Sequence, residues 1–376
     1  MGIPMGAPYF KIEKFARQSG VEVFSSNYAL YGDMSRRIMQ VLANFAQRLE
    51  VYSIDEGFLD LSGMPDDLTD YALGICRTVR QWTGIPVSIG IAPTKTLSKI
   101  ANRLAKKGFS ASGPVLEWQK IPFPDAVLEA LPVEAIWGIS VRLGMRLRRL
   151  GIADALALRS ADPKRLRQLF GVGMERIVLE LRGVPCISLE TVPPARKQIM
   201  TSRSFGERLT ELADLRAAVT SFAACSGKKL RAQGLAAQAL CVFIHTSPFE
   251  TSRLSYSNTM TIAFDHPSQD SAYLIHCAVR GLEQIFRPGY AYQRAGVLLL
   301  DLMPAGTGQI VLFAEEMEET GRSARLMETV DRINRAYGLR TLRFASEGLS
   351  EHWHMRQQLK SPSYTTNWRE LVSAKC

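Results

Sequence analysis

Apolar residues recur along the first third of the chain at two different periods. Ile38, Val41, Leu42, Phe45 and Leu49 fall at helical spacing and predict a helix from Ser35 to Leu49. Val51 to Ile54 then reads as a strand, Asp55-Glu56-Gly57 as a turn, and Phe58 to Leu61 as the returning strand. A stripe of Leu68, Tyr71, Ala72, Ile75, Val79 and Trp82 predicts a helix over Leu68–Trp82, and Pro86 to Ala92 has the pattern of a buried strand. Thr94 is placed to cap a further helix ending near Lys107. That helix has Leu97, Ile100, Ala101 and Leu104 on one face and Lys99, Arg103 and Lys106 on the other. The order hairpin, helix, strand, helix predicts a ferredoxin-like α+β unit without its first strand.

Residues 124–183 are helical in pattern throughout. Two glycine turns punctuate them, Trp137-Gly138-Ile139-Ser140 and Phe170-Gly171-Val172-Gly173. Pro185, Pro193 and Pro194 mark a linker. From Ile199 to about Asp301 helices alternate with β-rich runs such as Ala239 to His245, which predicts a second α+β unit. A tail of different pattern follows Pro304-Ala305-Gly306. The domains expected are 1–27, 28–120, 121–190, a linker 191–198, 199–303 and 304–376.

Composition adds a sign to this picture. The 376 residues are 46% apolar, enough for real cores, and carry a formal charge of +10. A basic balance favours an anionic partner without naming one. The charge concentrates from Arg142 to Arg182, where ten basic residues face four acidic ones. The six cysteines stand singly, with no C-x-x-C pair, which suits a reducing cytoplasm better than a disulfide framework or zinc ribbon. The longest apolar runs fall well short of the ~18–20 residues of a membrane span, and no signal peptide is apparent, so a cytoplasmic, non-membrane protein is expected.

Three features carry candidate chemistry. At a turn the alternation of a strand relaxes, so Asp55 and Glu56 can converge on one hard cation; the same triplet is also a common surface turn. Lys99, Arg103 and Lys106 suit a triphosphate or backbone phosphates, and equally a solvated helix face. The glycine turns, with Gly138, Gly171 and Gly173, suit a helix-turn-helix gripping phosphate through backbone N–H groups, and equally an ordinary helical turn; Ser140 stands where a second glycine is usual. His352-Trp353-His354 lacks a third ligand. No P-loop, Ser-His-Asp signature or H-E-x-x-H motif occurs.

In order, these motifs resemble the Y-family translesion DNA polymerases, and the UmuC branch in particular (the DNA polymerase V catalytic-subunit, MucB, ImpB or RulB type). Val23 to Tyr28 with Tyr31 and Ser35 looks like that family's finger-to-palm junction. Tyr52-Ser53-Ile54-Asp55-Glu56-Gly57-Phe58 and Ile89-Gly90-Ile91-Ala92 with Lys95, Lys99 and Lys106 resemble its two palm motifs. Leu131 to Ile152 is similar to the thumb. Thr201 to Arg208, Thr246 to Phe249 and Ser361 to Thr366 are similar to the UmuC branch.

The resemblance implies a right-hand polymerase: truncated fingers, a ferredoxin-like palm, a helical thumb with helix-hairpin-helix turns, an α+β little finger and a C-terminal tail domain. It implies error-prone translesion synthesis in the SOS response, with Asp55 and Glu56 as ligands of two Mg²⁺ ions and Lys106 on the incoming triphosphate. Lys99, Arg103, Gly138, Arg142, Gly171, Gly173, Arg203 and Arg208 would contact DNA. Gln309-Ile310-Val311-Leu312-Phe313 resembles a sliding-clamp peptide anchored by Gln309, Leu312 and Phe313. The partners implied are damaged single-stranded or duplex DNA, dNTPs, the sliding clamp, a processed UmuD-type dimer and a RecA filament. Family comparison also places roughly fifty residues ahead of Met1, carrying a first strand, a further metal-binding aspartate and an aromatic steric gate. Without them the expectation is impaired activity. The alternative is a catalytically inactive remnant that binds damaged DNA and the clamp. A helix-hairpin-helix nuclease or glycosylase would need a catalytic Lys or Asp just after the hairpin, and Met145 to Gly151 offers none.

Overall fold

The structure is a computed structural model that describes residues 2–64, 67–192, 194–249, 254–307, 314–338, 340–348 and 353–373. The chain forms two compact units, Met1–Pro194 with Leu359–Cys376, and Ala195–Gln358.

In the first unit, α1 (Tyr9–Gln18) precedes α2 (Tyr28–Leu42). Helix α2 starts at Tyr28 rather than Ser35 because Asn27 caps it, accepting the Leu30 N–H at 3.3 Å. It also ends before Leu49, because residues 43–48 turn to deliver Leu49 into a strand. Strand β1 (Leu49–Val51) pairs antiparallel with β2 (Gly57–Leu59). Helix α3 (Leu68–Thr83) follows, capped by Asp67 and closed by Gly84 in the left-handed region. Strand β3 (Ile89–Ile91), helix α4 (Lys95–Lys106) and β4 (Val115–Glu117) complete this part, with β3 and β4 parallel. The four strands form two separate ladders, β1-β2 and β3-β4. The motif order predicts a ferredoxin-like unit without its first strand, and among the described residues no strand joins the two ladders into one sheet. Each strand spans only three residues, and an apolar pattern cannot say which neighbours hydrogen-bond. Helices α2 and α3 back the ladders through Met39, Val41, Leu42, Ile75 and Val79.

Helices α5 (Pro124–Glu129), α6 (Val141–Arg148), α7 (Ala155–Ser160), α8 (Pro163–Phe170) and α9 (Val172–Leu181) share one core with Leu97, Ile100 and Leu104 of α4. The second glycine turn joins two helices, α8 and α9. The first follows only a single 3-10 turn, Val133–Ala135, so the helix-turn-helix expected there lacks its leading helix. Pro132 precedes that turn and cannot donate to a helical ladder.

The second unit has the order β5 (Ile199–Leu209), α10 (Leu212–Arg231), β6 (Leu235–Thr246), β7 (Ser257–Ser268), α11 (Ser271–Ile285), β8 (Tyr292–Pro304) and α12 (Ala314–Ala336). Its antiparallel sheet runs β5-β8-β6-β7, with α10 and α11 packed against it around Leu215, Phe222, Leu240, Leu274 and Val297. Arg231 ties α10 to α12 through Asp331 at 2.7 Å. Trp353 enters the same core, 5.4 Å from the Phe222 ring. Residues 304–376 thus do not stand apart. Those up to Gln358 belong to the second unit, and those from Leu359 return to the first.

Candidate functional site

Asp55 and Glu56 occupy the turn between β1 and β2, where the N–H groups of Tyr52 and Ser53 both donate to the Glu56 carbonyl at 3.1 and 3.0 Å. Ser53 Oγ donates to Asp55 Oδ1 at 2.5 Å. Three aromatic rings support the turn: Trp137 Nε1 donates to the Tyr52 hydroxyl at 3.0 Å, and the Tyr52, Phe58 and Trp137 ring centroids lie 5.5–5.8 Å apart.

Helix α4 supplies the cations. Gly90 on β3 allows its close approach, since a Cβ there would lie 2.2 Å from the Asn102 nitrogen and 2.3 Å from the Ser98 oxygen. At its N-terminus, the fully buried Glu180 of α9 accepts the Thr96 N–H at 3.0 Å and those of Cys186 and Ile187 at 2.7 and 3.1 Å. A carboxylate at a helix N-terminus satisfies donors the helix itself cannot. So held, α4 directs Lys99 Nζ to Glu56 Oε2 at 2.6 Å, with the ammonium 5.6 Å from the Tyr52 ring centre. Lys95 is buried. It pairs with Glu50 of β1, donates to the Ser188 carbonyl at 2.8 Å and lies 4.9 Å from the Phe58 ring centre, while the Glu190 N–H donates to the same Glu50 oxygen at 2.8 Å.

Asp55, Glu56, Lys95, Lys99 and Lys106 all line one cleft of about 1660 Å³, between the two ladders and α2. Asp55 and Lys106 are exposed in it. The donor set suits a hard divalent cation, since two carboxylates on adjoining residues leave room for phosphate and water. Among the described residues no group of three or more His, Cys, Asp or Glu side chains has metal-binding geometry.

The remaining candidates lie elsewhere. Arg103 is exposed on α4 and donates to the Ala135 carbonyl at 3.3 Å. Gly138 and Gly171 take positive φ angles of 87° and 89° at their turns, Gly173 is the second residue of α9 with open space at its Cα, and Arg142 is exposed on α6. Arg203 and Arg208 are exposed on β5 in the second unit. Gln309, Leu312 and Phe313 lie outside the described residues, as does His352. The sequence pattern missed Glu50 and Glu180, and picked out Lys95 only within the resemblance to a palm motif. A buried ion pair between distant segments leaves no local period to detect, although Lys95 sits directly after the Thr94 cap.

A family model described as the impB/mucB/samB family matches residues 1–103, and its C-terminal domain model matches residues 196–312. A domain of unknown function (DUF4113) matches residues 324–374. The chain is 42% identical to Protein UmuC of Salmonella typhimurium, covering all of this chain and 89% of that protein. It is 40% identical to Protein MucB of Escherichia coli over 99% of this chain and 88% of that one. DNA polymerase IV of Pelotomaculum thermopropionicum is 27% identical over 82% of this chain and 74% of its own length. Among solved structures, a Y-family DNA polymerase chimera of Dbh and Dpo4 superposes with a TM-score of 0.60 at 21% identity, covering 80% of this chain and 84% of that one. No helix among the described residues is long and apolar enough to cross a membrane.

Proposed function

Because the chain belongs to the impB/mucB/samB family of UmuC-type, Y-family DNA polymerases, we propose that it adds deoxynucleotides opposite damaged template bases, in error-prone translesion synthesis during the SOS response. The observation that carries this reading is the shared cleft of Asp55, Glu56, Lys99 and Lys106. Asp55 and Glu56 would hold Mg²⁺, two ions in an intact site. When bound, that metal neutralises charge on the triphosphate and lowers the barrier to attack by the primer hydroxyl. Lys106, exposed at the end of α4, binds the triphosphate. Lys99 balances Glu56 until the cation arrives. The Tyr52-Phe58-Trp137 cluster keeps the acidic turn in place, so little ordering remains to be done on binding.

Away from the cleft, Arg103, Arg142 and the turns at Gly138, Gly171 and Gly173 contact the DNA backbone. On the second unit, Arg203 and Arg208 also contact DNA. Such contacts position the duplex without reading sequence. Gln309, Leu312 and Phe313 anchor a sliding clamp, and a processed UmuD-type dimer and a RecA filament complete the cytoplasmic assembly.

Primer extension past an abasic template site tests the reading. Asp55→Ala and Glu56→Ala should each abolish extension while leaving DNA binding intact; extension indifferent to both would overturn it. One observation favours a second reading, a catalytically inactive protein that binds damaged DNA and the clamp: among the described residues no third acidic side chain joins Asp55 and Glu56 in a metal-binding geometry. A polypeptide of these 376 residues is accordingly expected to extend primers poorly. If it shows salt-sensitive DNA binding, clamp association lost in Leu312→Ala/Phe313→Ala, and no Asp55-dependent extension at any Mg²⁺ concentration, the second reading is correct.

A further inference from the structure

The last residues of the chain, within the match to a domain of unknown function, return to the catalytic unit and reach its cleft. The Ser25 N–H donates to the Leu359 carbonyl at 2.9 Å, and Ser25 and Lys360 form a parallel bridge. Asn27 has no exposed surface. Its Oδ1 caps α2, and its Nδ2 faces the Ser361 carbonyl at 3.0 Å, with Ser361 Oγ and the Pro362 carbonyl each at 3.4 Å. One buried amide thus fixes both the start of α2 and the returning strap.

The strap is also braced internally. Glu370 accepts from the Ser363 N–H at 2.5 Å and from Asn367 Nδ2 at 2.6 Å, closing the loop 363–370. That loop puts Tyr364 and Thr365 into the wall of the cleft that holds Asp55, Glu56 and Lys106. Among the described residues the Thr365 hydroxyl is shielded from solvent with no hydrogen bond of good geometry, and it lies close enough to Asp33 to be the first cause, ahead of Arg37, holding that carboxyl below its ordinary range.

We propose that Tyr364 is a nucleotide-contacting residue of the cleft and Thr365 its positioning neighbour, both delivered by the C-terminal strap that Asn27 anchors. This rests on the polymerase reading and adds to it a role for the tail. The chemistry divides along the cleft. Lys99 and Lys106 suit the phosphates, while the tyrosines on its wall, Tyr28, Tyr31 and Tyr364, offer apolar faces to a nucleobase or sugar. Tyr364 is 41% exposed, so its ring has a free face.

The experiment compares two probes on the full chain, with Ca²⁺ in place of Mg²⁺ to prevent turnover: a fluorescent dATP analogue, and inorganic tripolyphosphate as its competitor. Tyr364→Ala should weaken dATP binding about fivefold or more, the scale of one lost base–aromatic contact, and leave tripolyphosphate binding unchanged. Tyr364→Phe should restore it. Lys106→Ala should weaken both probes. Asn27→Ser keeps a capping acceptor but loses the amide donor. It should raise hydrogen exchange over residues 359–367 at least tenfold and reproduce the Tyr364→Ala effect. Equal loss of both probes in Tyr364→Ala would mark a structural role and overturn the proposal, as would unchanged dATP binding beside a weakened Lys106→Ala. Unchanged exchange in Asn27→Ser would overturn the anchor. If neither Lys106→Ala nor Tyr364→Ala alters binding, or the chain binds neither probe, the nucleotide reading of the cleft itself fails.

Discussion

Lys99 and Glu56 hold each other at 2.6 Å, so a divalent cation that takes Glu56 must displace an ammonium group. Both side chains are partly exposed, and solvent screens the pair, so the competition is worth about 1 kcal/mol, or roughly fivefold in affinity. Lys99→Ala should therefore tighten Mn²⁺ binding by about that factor, read by electron paramagnetic resonance of free Mn²⁺; weaker Mn²⁺ binding in the variant would show that Lys99 does not compete there. A second residue sets an acid limit. The Arg148 guanidinium hydrogen-bonded to Glu134 is the leading cause holding that carboxyl down at about 2, below its ordinary 4.5. A depressed folded-state value contributes stability that is complete above the ordinary value and is lost as pH falls from about 4.5 through about 2. Glu134→Gln should flatten the acid-unfolding curve in that window, measured by circular dichroism. The turn that carries Asp55 and Glu56 was legible in the sequence, because a glycine-bearing turn between two apolar runs is a local signal; the proposal that the pair holds metal came from the family motifs around it. The buried pairing of Lys95 with Glu50 was not legible, because a lysine is buried only when a distant carboxylate meets it, and that meeting depends on the tertiary fold.

At the scale of elements, the approach of α4 to β3 decides where the cleft's cations stand. Gly90 permits that approach, and the contacting atoms are helix backbone, which cannot rotate away as a flexible side chain would. Gly90→Ala must shift the helix, at a cost of about 1–3 kcal/mol for an overpacked contact. Because Lys99 and Lys106 ride on that helix, the variant should also lose nucleotide binding out of proportion to its stability loss. Urea unfolding alongside dNTP binding at a concentration where the variant remains folded checks both; unchanged stability and binding would show that the contact is soft. Helix α4 itself was readable from its Thr94 cap and its stripe of Leu97, Ile100, Ala101 and Leu104, all buried in the structure. The strands were overread. Apolar runs such as Pro86 to Ala92 gave length, while only Ile89–Ile91 finds a partner. Hydrogen-bonded length depends on the neighbouring strand, which a one-dimensional pattern does not contain.

Over the whole molecule, the second unit is a sequence insertion between two parts of the first, and each unit carries its own core. The change of pattern after Pro304 was legible, but the return of the tail was not. It depends on one asparagine, Asn27, meeting backbone carbonyls more than three hundred residues away. The insertion predicts that residues 195–358 fold by themselves, and the end of that segment supplies the test. Trp353 is the only tryptophan within it and is 3% exposed, set edge-on against Phe222 at 5.4 Å and Phe205 at 6.5 Å. A 195–358 polypeptide should therefore show blue-shifted tryptophan emission that is lost in one cooperative urea transition. Trp353→Ala opens a cavity between these rings and should cost about 3–5 kcal/mol, followed by circular dichroism since the fluorophore is gone. Trp353→Phe should cost much less, because among the described residues the buried indole N–H has no hydrogen-bond partner and its loss removes an unsatisfied donor. Equal destabilisation by the two substitutions would show that the indole ring is held by something other than this aromatic packing. A 195–358 polypeptide with solvent-exposed emission would show that the second unit needs the first in order to fold.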